Sequence, residues 1–224
     1  MDNKVGTSVY LMPGMAASSK IFELIKFPTK YKITYLKWIQ PEIGESIKSY
    51  SKRMSTFIDD DNPVLVGVSF GGILIQEISK HIKAKKVIII SSVKSKVELS
   101  LSMKFAKKTG AHHLLPLNWI DDLEKILLLV FGPSIKVRVD AYKKYLSERD
   151  PDYLKWSIDQ IVNWQQKKYD KNIIHIHGEK DKVFPLRYLE KNENFFTVKG
   201  GTHATILRDS KWFSKNLPLI INKD

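Results

Sequence analysis

The sequence predicts an α/β protein: a three-layer α/β/α sandwich on a mainly parallel sheet of about six strands, with a helical insertion after the fourth strand. Two observations carry that expectation. Short apolar runs without polar alternation recur between segments of helical period, so the strands are covered on both faces and joined by helices. The alternation then stops between about residues 94 and 168, where helix punctuation continues and strand signals do not.

Ser8-Val9-Tyr10-Leu11-Met12 is the first strand, stopped by Pro13-Gly14. Ile21, Phe22, Leu24 and Ile25 follow Ser18-Ser19 in a helical pattern. Tyr31 to Ile39 reads as the second strand, ended at Pro41. Ile43, Ile47, Tyr50, Met54 and Phe57 recur at alternating steps of four and three, the period of an amphipathic helix. Pro63 opens a third strand, Val64 to Val68. A helix from Gly72 to Ile82 comes next, then a fourth strand, Val87 to Ile90. In the insertion, Asn118 can cap a helix carrying Asp121 and Asp122, stopped by Gly132-Pro133. Ser134 can cap another, and Asp150-Pro151-Asp152 starts a third with proline at the first helical position. Trp119, Trp156 and Trp164 lie here, with core anchoring the expected role for at least two. Strands resume at Asn172 to His177 and Asn194 to Val198, and the last helix begins near Ala204.

Composition removes several function classes. The 224 residues include no cysteine, which excludes disulfide scaffolds, cysteine-held metal and thiol catalysis. The net charge is +13, but the excess is spread roughly in proportion to length, and no nucleic-acid-binding signature accompanies it. One local cluster, Lys94, Lys96, Lys104, Lys107 and Lys108 against Glu98, reads either as a solvated helix face or as a docking patch for an acidic carrier or anionic substrate. No apolar run approaches the ~20 residues of a membrane span. Met1 to Gly6 shows no leader pattern, so the expected location is cytoplasmic.

The chemistry centres on Gly67-Val68-Ser69-Phe70-Gly71, set between an apolar strand and a helix. A serine on that sharp turn is lifted above the sheet, with small glycines relieving clashes across it. The alternative is a structural serine in a tight turn. A serine nucleophile needs a base, and the base an orienting carboxylate. His203, in the loop after the last strand, sits where a parallel sheet forms its sites. His175 reads as packed, His177 as structural at its strand end, and His81 as a partner of a helix end. His112 and His113 read as exposed. Asp181 in Gly178-Glu179-Lys180-Asp181 is the best carboxylate, with Glu179 as its rival. The expected oxyanion donors are the backbone N–H groups of Phe70, directly after the nucleophile, and Met15, in Pro13-Gly14-Met15-Ala16-Ala17.

These four pieces, in this order and each at a strand end, resemble the α/β-hydrolase fold superfamily over nearly the whole chain. The resemblance implies a Ser69–His203–Asp181 triad and a cap at 94–168 on a core of 1–93 and 169–224. It is nearest to small carboxylesterase-like members, including those that cleave pimeloyl-carrier methyl esters. The chain departs from the pattern in carrying Pro13 where many relatives have His. It also lacks the leading antiparallel strands, which implies a six-stranded sheet with an exposed first edge. The expected function is hydrolysis of a small-molecule carboxylic ester or thioester, free or carrier-linked, through an acyl-enzyme without metal or organic cofactor. The rivals are a non-catalytic binding protein of the same fold and an acyltransferase or lyase using the same triad. Oligomeric state is not legible.

Overall fold

The computed structural model describes residues 6–114 and 144–223. Its strands are β1 (Thr7–Met12), β2 (Tyr31–Tyr35), β3 (Val64–Val68), β4 (Lys86–Ile90), β5 (Ile174–Gly178) and β6 (Phe195–Val198). They form one sheet in the order β2-β1-β3-β4-β5-β6, every pair parallel. The order reverses between β1 and β3, so the crevice of this open sheet lies outside the carboxyl ends of those two strands. Ser69 follows one of them and Gly14 the other.

The continuous apolar runs are explained by burial on both faces. Val9, Leu11, Val66, Ile88, Ile90 and Ile176 pack on one side with α6 (Ser210–Asn222). Tyr10, Met12, Leu65 and Ile89 pack on the other with α1 (Ile47–Ser55) and α2 (Phe70–Ile78). Every residue of α2 is buried, including Gln76 and Glu77, whose side chains are held by hydrogen bonds to the Gly72 and Val93 carbonyls and from the Trp164 indole.

Some boundaries differ from expectation. The pattern at Ile21 to Ile25 forms a single 3-10 turn, Ser19–Phe22, and no longer helix. β2 ends at Tyr35, four residues early, because its neighbour β1 ends at Met12 and Pro13 has no N–H to continue the ladder. The freed segment carries Trp38 across the top of the sheet. β2 forms the sheet edge, and β1 lies inside it.

Between β4 and β5 the described residues include α3 (Leu101–Thr109) and α4 (Pro151–Asn163). Ser100 caps α3 and Gly110, at φ +69°, ends it. Asp150 caps α4 by accepting from the Tyr153 amide, with Pro151 in the first turn. The helix signals at Asn118, Gly132-Pro133 and Ser134, together with Trp119, lie outside the described residues. The other two tryptophans tie this stretch to the core: Trp156 Nε1 donates to the Glu45 carbonyl at 2.7 Å and Trp164 Nε1 to Glu77 Oε1 at 2.8 Å.

The lysine cluster does not form one surface. Lys94 is fully buried, its Nζ 2.7 Å from the Glu190 carbonyl and 3.9 Å from Glu98. Glu98 accepts from the Lys94 and Glu190 amides, and burial raises its carboxyl pKa despite those bonds. Lys94 therefore fastens the chain after β4 to the segment before β6 and presents no charge outward. Among the described residues no helix is long and apolar enough to cross a membrane.

Candidate active site

Ser69 follows β3 directly and caps α2 at φ 53° and ψ −121°, a region that L-residues seldom occupy. The surroundings over-determine this backbone. The Ser69 amide donates to the Ile90 carbonyl at 2.9 Å, and the Ser69 carbonyl accepts from the Gly72 amide at 2.9 Å and from Ser92 Oγ at 2.7 Å. The glycines leave room for the turn: a Cβ at Gly67 would sit 2.4 Å from the Gly71 carbonyl oxygen, and one at Gly71 would sit 2.3 Å from that of Pro13. Gly71 thus lets the first turn of α2 lie directly on the end of β1.

His203 and Asp181 reach Ser69 from the loops after β6 and β5. His203 Nε2 stands 2.9 Å from Ser69 Oγ, and His203 Nδ1 stands 2.8 Å from Asp181 Oδ2. With Nδ1–H donated to the carboxylate, Nε2 is left to accept the serine proton. Asp181 Oδ1 accepts from the amides of Val183 and Phe184 at 2.8 and 3.0 Å. Burial alone would raise the Asp181 carboxyl, but the His203 imidazole and these hydrogen bonds outweigh it and hold the pKa below the usual aspartate range. Glu179, the rival acid, is turned away and accepts from the Gly200 amide at 2.8 Å.

A second imidazole backs the carboxylate. His177 Nε2 donates to the Phe184 carbonyl at 2.8 Å and lies 3.3 Å from Asp181 Oδ2. His177 Nδ1 then accepts from His175 Nε2 at 3.0 Å. Both rings are buried, and desolvation keeps both neutral, His177 with its pKa lowered to about 4 and His175 well below its ordinary value. His175 is packed and His177 holds the acid loop, as their strand positions imply.

The loop after β1 lies against the serine. An ideal Cβ on Gly14 would be 3.3 Å from Ser69 Cβ and 3.9 Å from Ser69 Oγ. Residues 14–17 form a turn closed by the Ala17 amide on the Gly14 carbonyl at 3.1 Å, with Ala16 at φ 64°. The far side of the insertion clamps it: the Glu148 amide donates to the Ala16 carbonyl, and the Ser18 amide to the Tyr145 carbonyl. Among the described residues no protein acceptor takes the amides of Met15 or Phe70. Phe70 opens α2, where the helix N-terminus favours negative charge.

Ser69, His203 and Met15 open onto a cavity of about 420 Å³. Its wall is chiefly apolar, with Met103 and Ala106 from α3, Ile158 and Ile161 from α4, and Ile206 and Leu207 from α5 (Thr205–Arg208). His112 also lines it, against the expectation of an exposed residue. The chain reverses after Gly110, so His112 Nδ1 reaches the Ala106 carbonyl at 3.1 Å and Nε2 lies 3.3 Å from Asp159 on α4. Side-chain placement at His113 is outside the described residues. His81 lies just beyond α2, its Nε2 3.2 Å from Ser51 Oγ.

No family model and no curated protein matches the sequence. Solved structures do match its shape. A bromoperoxidase from Bacillus anthracis superposes with a TM-score of 0.72 at 18% identity, covering 97% of this chain and 92% of that one. A lipase-esterase related protein from Clostridium acetobutylicum gives 0.71 at 19%, covering 97% and 95%. A thermophilic esterase from Thermogutta terrifontis gives 0.69 at 10%, covering 96% and 91%. Identities this low carry the fold and not an activity. The parallel sheet, the strand order and these near full-length superpositions together establish that the chain has the α/β-hydrolase fold.

Proposed function

We propose that this chain is a serine hydrolase that cleaves a carboxylic ester or thioester with an apolar acyl chain, through an acyl-enzyme. The observation that carries the reading is the hydrogen-bonded line from Ser69 Oγ through His203 to Asp181 at the floor of a largely apolar cavity. The esterase and lipase-esterase names of structural neighbours point to the same class.

In this mechanism His203 Nε2 takes the Ser69 proton as Oγ attacks the substrate carbonyl. Asp181 stabilises the resulting imidazolium and keeps the ring in the required tautomer. The tetrahedral oxyanion forms between the amides of Met15 and Phe70, which give up no acceptor among the described residues. His203 then protonates the leaving alkoxide or thiolate, leaving the acyl group on Ser69. A water deprotonated by His203 attacks the acyl carbon, and Ser69 departs with the proton as the acid is released. The acyl chain lies along Met103, Ile161 and Leu207, with the described parts of residues 94–168, α3 and α4, supplying part of the wall.

The test is turnover of p-nitrophenyl butyrate and octanoate by the wild-type protein and by Ser69→Ala. The substitution is expected to lower kcat at least about a thousandfold without loss of fold. Undiminished hydrolysis by Ser69→Ala, or no turnover by the wild type of any ester in an acyl-length series, would overturn the reading. Product analysis with added alcohol distinguishes hydrolysis from acyl transfer.

A further inference from the structure

Trp38 lies on the segment that leaves the sheet after β2, and it does not line the cavity. Its indole Nε1 donates to the Gly14 carbonyl at 3.0 Å. Its ring lies flat on Phe70, with centroids 5.1 Å apart and planes 6° from parallel. These two contacts fall on the peptide that carries the Met15 amide and on Phe70, the two expected oxyanion donors. The Gly14 carbonyl and the Met15 N–H belong to one planar trans peptide, so they point in opposite directions. Holding the carbonyl from outside therefore aims the N–H inwards. The Ala17 amide on the same carbonyl, at 3.1 Å, supplies the second tether. One donor alone would leave the peptide free to pivot about that bond, whereas two fix the plane.

The rest of the surroundings fit this role. Tyr153 of α4 also packs against Trp38, with ring centroids 5.2 Å apart, and Tyr50 lies 6.4 Å away. The indole is thus held between aromatic neighbours from α1, α2 and α4. The peptide it steadies belongs to a turn whose Ala16 is in the left-handed region, a conformation that a short loop keeps only when its neighbours impose it.

We infer that Trp38 is a positioning residue for the oxyanion site: its N–H sets the Met15 amide through the Gly14 carbonyl while its ring seats Phe70. The inference rests on the ester-hydrolase reading above. It assigns Trp38 an effect on the transition state and none on ground-state binding, because the ring makes no cavity wall.

The test is steady-state kinetics on p-nitrophenyl butyrate with Trp38→Phe and Trp38→Tyr, which keep an aromatic ring but lack the indole donor. Wild type and Ser69→Ala are run beside them. Losing a whole oxyanion donor costs about 10²–10³ in kcat, so a misaimed donor is expected to cost roughly tenfold or more. KM should stay within about twofold, and the pH-rate midpoint should not move, since His203 and Asp181 are untouched. Affinity for a trifluoromethyl ketone, which forms a serine adduct with an oxyanion, should fall in step with kcat. Wild-type kcat in both variants, or a raised KM at constant kcat, would overturn the proposal. Failure of both variants to fold would make Trp38 a packing residue and overturn it as well. If Ser69→Ala hydrolyses the ester as well as wild type does, the hydrolase reading itself falls, a result distinct from any failure of Trp38.

Discussion

Asp181 has both carboxylate oxygens engaged. One oxygen is filled by two amides, and the other by His203 with His177 close behind. An amide in its place would keep the shape, but its NH2 group would face either those donors or His203 Nδ1. Asp181→Asn is therefore expected to lower kcat by about 10⁴, the size seen when a triad histidine is put in the wrong tautomer, with KM little changed. The two histidines behind it make a separate prediction. In the unfolded chain both have ordinary imidazole pKa values near 6.5, whereas in the fold His177 is at about 4 and His175 is also depressed. Between those values the unfolded state binds protons that the native state refuses, so stability rises with pH and is lost as pH falls. Each histidine contributes a slope of up to about 1.4 kcal/mol per pH unit below about pH 6.5. Asp181, whose folded pKa is also depressed, adds loss in the same direction below its unfolded value. Thermal melts of the wild type should drop between pH 7 and 5. A His177→Asn variant should have a shallower dependence, and an unchanged slope would count against the buried neutral pair.

At the scale of the element, the turn from β3 into α2 depends on contacts between backbones with no side chain that could yield. A Cβ at Gly71 would meet the carbonyl oxygens of Pro13 and Met12 at 2.3 and 2.7 Å. Gly71→Ala is expected to destabilise the protein by about 3 kcal/mol, read as a lowered Tm, and, on the proposed function, to impair hydrolysis because the loop after β1 and the first residue of α2 carry the two oxyanion donors. Gly44→Ala is a control, since a Cβ there meets nothing within 4 Å and only its left-handed φ of 70° is strained. Why the sequence was informative here and silent elsewhere follows from the same elements. Ser69, Asp181 and His203 were legible because each sits just past a short apolar strand, and strand ends in a parallel sheet meet at one rim. Trp38 was not, since its partner is a carbonyl 24 residues away that no side-chain pattern marks. Its position also depends on β2 ending early, which reflects Pro13 on the neighbouring strand. The place of His112 at the cavity is not legible in the sequence, because it comes from the chain reversal at Gly110 and from Asp159 on a distant helix. Lys94 is illegible as a buried group because composition does not distinguish a solvated lysine from one whose ammonium is taken by a backbone carbonyl.

Over the whole molecule, the proposed function assigns the choice of acyl group to the cavity wall, to which the described parts of the stretch between β4 and β5 contribute. They include Met103 and Ala106 of α3 and Ile158 and Ile161 of α4, and α5 adds Ile206 and Leu207. An acyl chain entering it leaves water by about 0.8 kcal/mol per methylene, roughly a fourfold gain in kcat/KM for each carbon until the cavity is filled. A series of p-nitrophenyl esters from acetate upwards should follow that rise and then level off. Ile161→Trp, by filling the cavity, should abolish the gain for longer chains and leave acetate hydrolysis nearly unchanged. A flat series in the wild type would mean that the acyl group binds elsewhere. The central claim, that Ser69 is activated by His203 in the folded protein, is tested most directly by reaction with a fluorophosphonate followed by mass spectrometry of the labelled peptides. The account predicts a single adduct on Ser69 that is lost in His203→Ala; an unlabelled protein, or an adduct on another residue with Ser69 untouched, would contradict it.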